Sequence, residues 1–188
     1  DLTIKAFNLA DKYRNPAMIL GDGLLGQMME PVQFKEFDEK NIPSKEDWAL
    51  GSSHKRKPRK IVPFDLDPNE LEKIVNKLGQ KYQEMQKEVE YEVVNIDNPD
   101  IVIVAYGSIA RIAKTTIQKA KQEGINIGLV RPITLYPFPY AAIEEVANRV
   151  NKFLVVEMSL GQMVEDVKLA VKGKSEVSFY GRTGGVVI

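Results

Sequence analysis

Residues 98–188 predict an α/β domain built on a parallel sheet with helices on both faces. Three observations carry this. Four short apolar runs recur at 101–106, 126–130, 152–156 and 176–180. Amphipathic segments at helical spacing separate them. Gly124 and Gly173 stand where two of those helices must stop. Strands that alternate with helices return by crossovers, which favours a parallel sheet buried on both sides.

Taken from the start, residues 1–14 form an amphipathic helix, with Leu2, Ala6, Leu9, Ala10 and Tyr13 at helical spacing and Asn15-Pro16 ending it. Ala17-Met18-Ile19-Leu20 is expected to be a short buried strand. A helix and a strand with nothing before them predict the C-terminal remnant of a second α/β domain over 1–35, cut from something longer. A connector follows over 36–97. Its first part carries Pro43, Pro58, Pro63, Gly51 and Trp48 without apolar periodicity. Within it, a bridging helix is expected over 68–90. Asp67 suits its N-cap, Pro68 its first position, and Glu70 a capping box. Leu71, Val75, Leu78, Tyr82, Met85 and Val89 then form one stripe that would face a partner surface.

In the C-terminal domain, a helix over 108–123 presents Ile109, Ile112, Ala113, Ile117 and Ala120 inward. Ile143, Val146, Ala147 and Val150 do so over 139–150, and Met163, Val164, Val167 and Val171 over 161–171.

The 188 residues hold 26 basic and 26 acidic side chains, so no global field favours nucleic acid or an anionic membrane. No apolar run approaches the roughly 20 residues of a membrane-crossing helix. With no cysteine, this sequence offers neither thiolate nucleophiles nor Cys ligands for zinc or iron–sulfur clusters. A cytoplasmic setting is compatible with that composition.

Few motifs carry chemistry. Gly21-Asp22-Gly23 resembles the start of the magnesium–diphosphate motif of thiamine-diphosphate enzymes. That motif needs asparagine ligands some way on. Here stand Glu46, Asp47 and Trp48, with Asn41 the nearest asparagine, so a tight turn is the preferred reading. Gly107 permits a turn into the helix that follows and Ser108 suits its N-cap; free N–H groups there would suit an anion. Arg131 is expected at the end of a strand, on the side where open sheets bind ligands. It would clamp an anion or pair with Glu157 at the end of the next strand. Glu157 lacks a second carboxylate or a base beside it, and Gln162 falls in the first helical turn. His54, the single histidine, and the basic run 55–60 read as exposed connector; the run would steer an acidic partner such as a ferredoxin.

Five segments together resemble one family. They are 11–32, 45–50, 66–82, 104–139 and 157–185, the last containing GQMVEDV (161–167) and GRTGG (181–185). They are similar to the 2-oxoacid:ferredoxin oxidoreductases, in the subunit with a pyrimidine-binding domain followed by a transketolase-C-terminal-like domain. The 2-oxoisovalerate (3-methyl-2-oxobutanoate) type is the nearest. The resemblance implies oxidative decarboxylation of a 2-oxoacid on thiamine diphosphate and magnesium, acyl transfer to coenzyme A, and electrons leaving through iron–sulfur clusters to ferredoxin. It implies partner subunits: a thiamine-diphosphate subunit, a gamma-type subunit and an iron–sulfur subunit, with homodimerisation also open. No catalytic, cofactor or metal residue carries over to this chain, which would be a non-catalytic C-terminal part active in assembly. Gly107, Ser108, Arg131, Glu157 and Gln162 remain as interface or anion contacts. Two rival readings stay open: an independent α/β module binding a small anion, and a fragment of another thiamine-diphosphate enzyme of the transketolase or dehydrogenase type.

Overall fold

The computed structural model describes residues 1–33, 44–46, 48–50 and 61–186. These form two compact units. One comprises Asp1–Leu20 with Met29–Lys87, the other Gly21–Met28 with Glu88–Ile188. His54, Asp47, Asn41 and the basic run 55–60 lie outside the described residues.

The second unit is a five-stranded sheet. Its strands are β1 (Tyr91–Val94), β2 (Ile101–Val104), β3 (Ile127–Pro132), β4 (Lys152–Glu157) and β5 (Glu176–Gly181), in the order β1-β3-β2-β4-β5. Four strands run parallel, as expected. The expected all-parallel sheet gains one strand: β1 pairs antiparallel with β3, in the register Glu92 to Arg131. Its four residues, two of them half-buried, are too short to announce a period of two.

Strand residues alternate between two cores, because successive side chains point to opposite faces. On one face Ile103, Ala105, Leu129 and Val156 meet Ile109, Ala110, Ala113 and Ile117 of α4 (Gly107–Gln122). On the other, Val102, Val104, Val130, Phe153 and Val155 meet two helices. These are α5 (Tyr140–Ala147), through Ile143 and Val146, and α6 (Met163–Val171), through Met163, Val164, Val167 and Val171. Each buried aliphatic side chain contributes about 1.5–3 kcal/mol. Segment 131–139 turns back after β3 and is pinned to the start of β1. Ile133 N donates to Glu90 O (2.9 Å), and Glu90 N to Thr134 Oγ1 (2.9 Å).

A short helix, α2 (Gly23–Gln27), belongs with this second unit and packs on α4. The sequence places it in the N-terminal remnant instead. Asp22 caps it, accepting from Leu25 N at 2.8 Å, where a bare turn was expected.

The first unit holds α1 (Leu2–Tyr13) and α3 (Pro68–Met85). Tyr13 Oη donates to Glu84 O (3.4 Å) and Lys81 Nζ to Asn15 Oδ1 (3.1 Å). Asp67 is the N-cap of α3, accepting from Asn69 N at 2.9 Å. The capping box does not close: Glu70 binds Lys73 at 2.6 Å, while Asp67 N donates to Asp65 Oδ1 at 3.0 Å. The α-helix stops at Met85 and tightens to a 3-10 turn over Gln86–Glu88, short of residue 90. Along its stripe Met85 is buried, whereas Val75, Leu78 and Tyr82 are exposed. Residues 17–20 are not a buried strand. They lie in irregular backbone, with Met18 82% exposed. A strand needs a neighbour to satisfy its N–H and C=O groups, and none pairs there among the described residues.

Phe153 is 1% exposed and central to the larger core. Phe153→Ala is expected to cost about 3–5 kcal/mol. The exposed Val75→Ala should stay within about 0.5 kcal/mol. Urea denaturation midpoints at constant slope check both.

Candidate functional site

Strands β2 and β4 are neighbours, yet their following helices lie on opposite faces, α4 on one and α6 on the other. Their C-terminal ends therefore open the crevice where parallel α/β sheets bind ligands. Two helix N-termini point there, each with N–H groups that lack a partner within the helix. Each meets a carboxylate of the chain itself.

The α6 terminus is filled by Glu157, the last residue of β4 and 3% exposed. Its Oε1 accepts from Val164 N at 3.0 Å. Its Oε2 accepts from Gln162 N, Met163 N and Ser159 Oγ, all at 3.1 Å. Ser159 Oγ in turn accepts from Gly161 N at 3.0 Å, so the loop closes on itself. A buried carboxylate is tolerable only when its lone pairs are met this fully, and the helix dipole adds to the effect. Gln162 takes part through its backbone. β5 then seals the loop. Arg182 N donates to Glu157 O at 3.1 Å, and a Cβ on Gly181 would lie 2.3 Å from Ser159 O. Only glycine fits that approach.

The α4 terminus is built differently. Tyr106 stands at the N-cap position and makes no side-chain cap. Gly107 turns into the helix with φ +59°, and Asp22 Oδ2 would lie 3.7 Å from a Cβ placed on it. Ser108 does not cap the helix, contrary to expectation. It is 4% exposed and lies within the first turn. A cap must precede the helix, and the left-handed Gly107 draws Ser108 inside it. A hydrogen bond from the Ser108 hydroxyl is the first cause holding the Asp22 carboxyl below its usual range; the Leu25 amide is the second, and the Ser108 amide adds to them. Burial raises the Tyr106 hydroxyl, and the charge of Glu157 adds to that.

Arg131 does not reach Glu157. It lies opposite Glu92 in the β1–β3 register and donates to its Oε2 at 3.0 Å. Lys114 Nζ from α4 holds the same carboxylate at 2.7 and 2.8 Å. The antiparallel edge strand, absent from the sequence reading, brings the nearer acid. Lys114 first, then Arg131, keeps the Glu92 carboxyl below its usual range against the opposing effect of burial. Ala110, Arg111, Lys114 and Arg131 line an open hollow of about 270 Å³ beside them.

The structure thus gathers Gly107 and Ser108 at one strand end and Glu157 and Gln162 at the next, and sets Arg131 on the outer edge. Sequence reasoning missed Asp22 as a partner of α4 and Glu92 as the partner of Arg131. An aspartate just ahead of a short apolar run marks an N-cap and was available as a signal for the first. Among the described residues no group of three or more His, Asp or Glu side chains could hold a metal ion.

Residues 99–188 match the family model described as pyruvate:ferredoxin oxidoreductase core domain II. The whole chain is 43% identical to ketoisovalerate oxidoreductase subunit VorB of Methanothermobacter thermautotrophicus, covering 53% of that protein. It is 44% identical to its counterpart in Methanothermobacter marburgensis, again covering 53%. Against 2-oxoglutarate synthase subunit KorA of the latter organism the identity is 29%, over the whole chain and 57% of that protein. The chain spans about half the length of these curated relatives. Among solved structures it resembles 2-oxoglutarate:ferredoxin oxidoreductase from Magnetococcus marinus, with a TM-score of 0.69 and 18% identity over the whole chain and 37% of the other. That likeness establishes the shared fold.

Two predictions follow from the carboxylates. Glu157→Gln turns an amide toward N–H donors and should cost about 1–3 kcal/mol, with loss of hydrogen-exchange protection at Met163 and Val164. Glu92 has a depressed folded pKa, so its contribution is complete above its unfolded value and lost as pH falls through the folded one. Being partly exposed, it is worth less than about 1 kcal/mol. Stability measured between neutral and acid pH should therefore fall less in Glu92→Gln than in the unaltered chain.

Proposed function

We propose, from the match of residues 99–188 to the pyruvate:ferredoxin oxidoreductase core domain II model, that this chain is a non-catalytic part of a 2-oxoacid:ferredoxin oxidoreductase subunit. The carrying observation is 43% identity over the whole chain to a ketoisovalerate oxidoreductase subunit. The complex would decarboxylate a branched 2-oxoacid on thiamine diphosphate, pass the acyl unit to coenzyme A and deliver electrons to ferredoxin. The chain would assemble with thiamine-diphosphate, gamma-type and iron–sulfur subunits in the cytoplasm.

The residues present do not fit those cofactors. An iron–sulfur cluster needs thiolates, and the sequence has no cysteine. Asp22, the candidate for magnesium and diphosphate, is engaged as a helix cap. Glu157 faces amide donors and is committed to α6, which leaves it no general acid–base part. No step of the reaction is therefore derived through these groups. An assembly role is supported by the first unit, where Phe7 is 69% exposed and Met18, Leu20, Val75 and Leu78 also face water. Apolar surface of this kind marks protein contacts. No helix among the described residues is long and apolar enough to cross a membrane.

The isolated chain should not reduce methyl viologen when supplied with 3-methyl-2-oxobutanoate, thiamine diphosphate, magnesium and coenzyme A. Co-expressed with the three partner subunits, it should remain bound to them through size-exclusion chromatography. Turnover by the chain alone, or its elution free of all three, would overturn the assignment.

A further inference from the structure

We infer that the outer edge of β5 (Glu176–Gly181) binds the same edge of a second copy of this chain, antiparallel and about a two-fold axis at Phe179, so that the sheet continues from one copy into the other. The inference goes beyond assembly with unlike subunits and does not depend on it.

The sheet has two edges, and the chain treats them differently. At one, β1 has four residues, and its Glu92 is tied to Lys114 and Arg131. Shortness and charge are ordinary protections of an edge. At the other, β5 has six residues, without proline or lysine, and pairs only with β4 among the described residues. Phe179 is 39% and Tyr180 45% exposed. The lysines ahead of the strand, Lys172 and Lys174, are turned to Glu144. An antiparallel neighbour is no obstacle to a parallel sheet, since β1 already pairs with β3 that way.

The backbone sets the register. Glu176 N donates to Asn151 O at 2.9 Å and Arg182 N to Glu157 O at 3.1 Å, so the even-numbered residues turn their N–H and C=O groups to β4. Backbone groups alternate along a strand, which leaves those of Val177, Phe179 and Gly181 on the outer edge. A second copy of the strand that uses all three symmetrically must run antiparallel, with Phe179 opposite Phe179. Val177 then stands opposite Gly181, and about six hydrogen bonds close the ladder.

The side chains played no part in choosing this register, yet they suit it. Glu176 falls opposite Arg182 at both ends, and Ser178 falls opposite Tyr180. The two Phe179 rings form an aromatic pair on the axis. Opposite charges and aromatic pairs stabilise facing strands, and like charges in their place destabilise them. Glu176 and Arg182 are both exposed, and neither side chain makes an ion pair with another described residue. The pairing would give each a partner.

The test is sedimentation equilibrium of the 188-residue chain, which should show monomer and dimer with a dissociation constant on the order of 10 μM. Glu176→Arg and Arg182→Glu each set like charges against one another and should weaken the dimer about tenfold or more. An equimolar mixture of the two variants restores opposite charges at both ends and should dimerise as the unaltered chain does. Circular dichroism verifies the fold of each variant. The register is read by crosslinking. The chain has no cysteine, so Phe179→Cys carries its single thiol on the axis, and a short thiol crosslinker should join two copies. Glu176→Cys lies about 20 Å from its counterpart and should not be joined. A chain that stays monomeric at about 100 μM overturns the inference. So does a dimer that both charge variants leave unchanged, or one crosslinked as well through Glu176→Cys as through Phe179→Cys.

Discussion

The buried carboxylate of Glu157 is the constraint on which the sheet domain turns. Placing it at 3% exposure without partners would cost several kcal/mol. Three backbone amides and one hydroxyl offset that cost. In doing so they fix the direction of α6, the path of 158–162 and, through Arg182 N and Gly181, the end of β5. The GQMVEDV and GRTGG segments thus meet around one side chain. One segment donates the amides, and the other needs a glycine where a Cβ would strike a carbonyl.

The same interaction limits chemistry. The switch between β2 and β4 is where an open sheet offers a ligand two helix N-termini. This chain satisfies one of them with the buried last residue of the preceding strand. Both oxygens of that carboxylate accept from the amides of its own loop and helix. At both strand ends the helix N-terminus is met by a carboxylate of the chain itself, Glu157 at α6 and Asp22 at α4. The difference lies in where each carboxylate comes from in the chain, since the residue type is nearly the same.

How much of this was legible in the sequence depended on range. The parallel strands and three helices of the sheet domain follow from apolar periodicity, which is local, and the two cores contain the side chains that periodicity selects. Helix starts were less legible. Ser108 has the composition of a cap, but the left-handed Gly107 moves it inside the helix, and only backbone geometry reveals that. Arg131 was placed correctly at a strand end and given the wrong partner. Its acid lies 39 residues earlier on a strand of four residues, too short to declare itself. Residues 17–20 show the reverse error. Four apolar residues in a row satisfy the composition of a strand, but a strand exists only when another accepts its hydrogen bonds.

Charge distribution links these points. The chain is neutral overall, with 26 residues of each sign, yet α4 carries four cations and no acid. A helix so composed repels itself at its outer face unless carboxylates arrive from elsewhere. They do, from both sides: Glu92 on the edge strand takes Lys114 together with Arg131, and Asp22 takes the N-terminus. Neither acid is near α4 in sequence. The antiparallel edge strand and the short α2 helix, the two elements that periodicity did not foresee, are therefore the ones that α4 needs electrostatically. Local pattern builds the sheet and its covering helices; the charges left over on one helix determine what else must be brought to it.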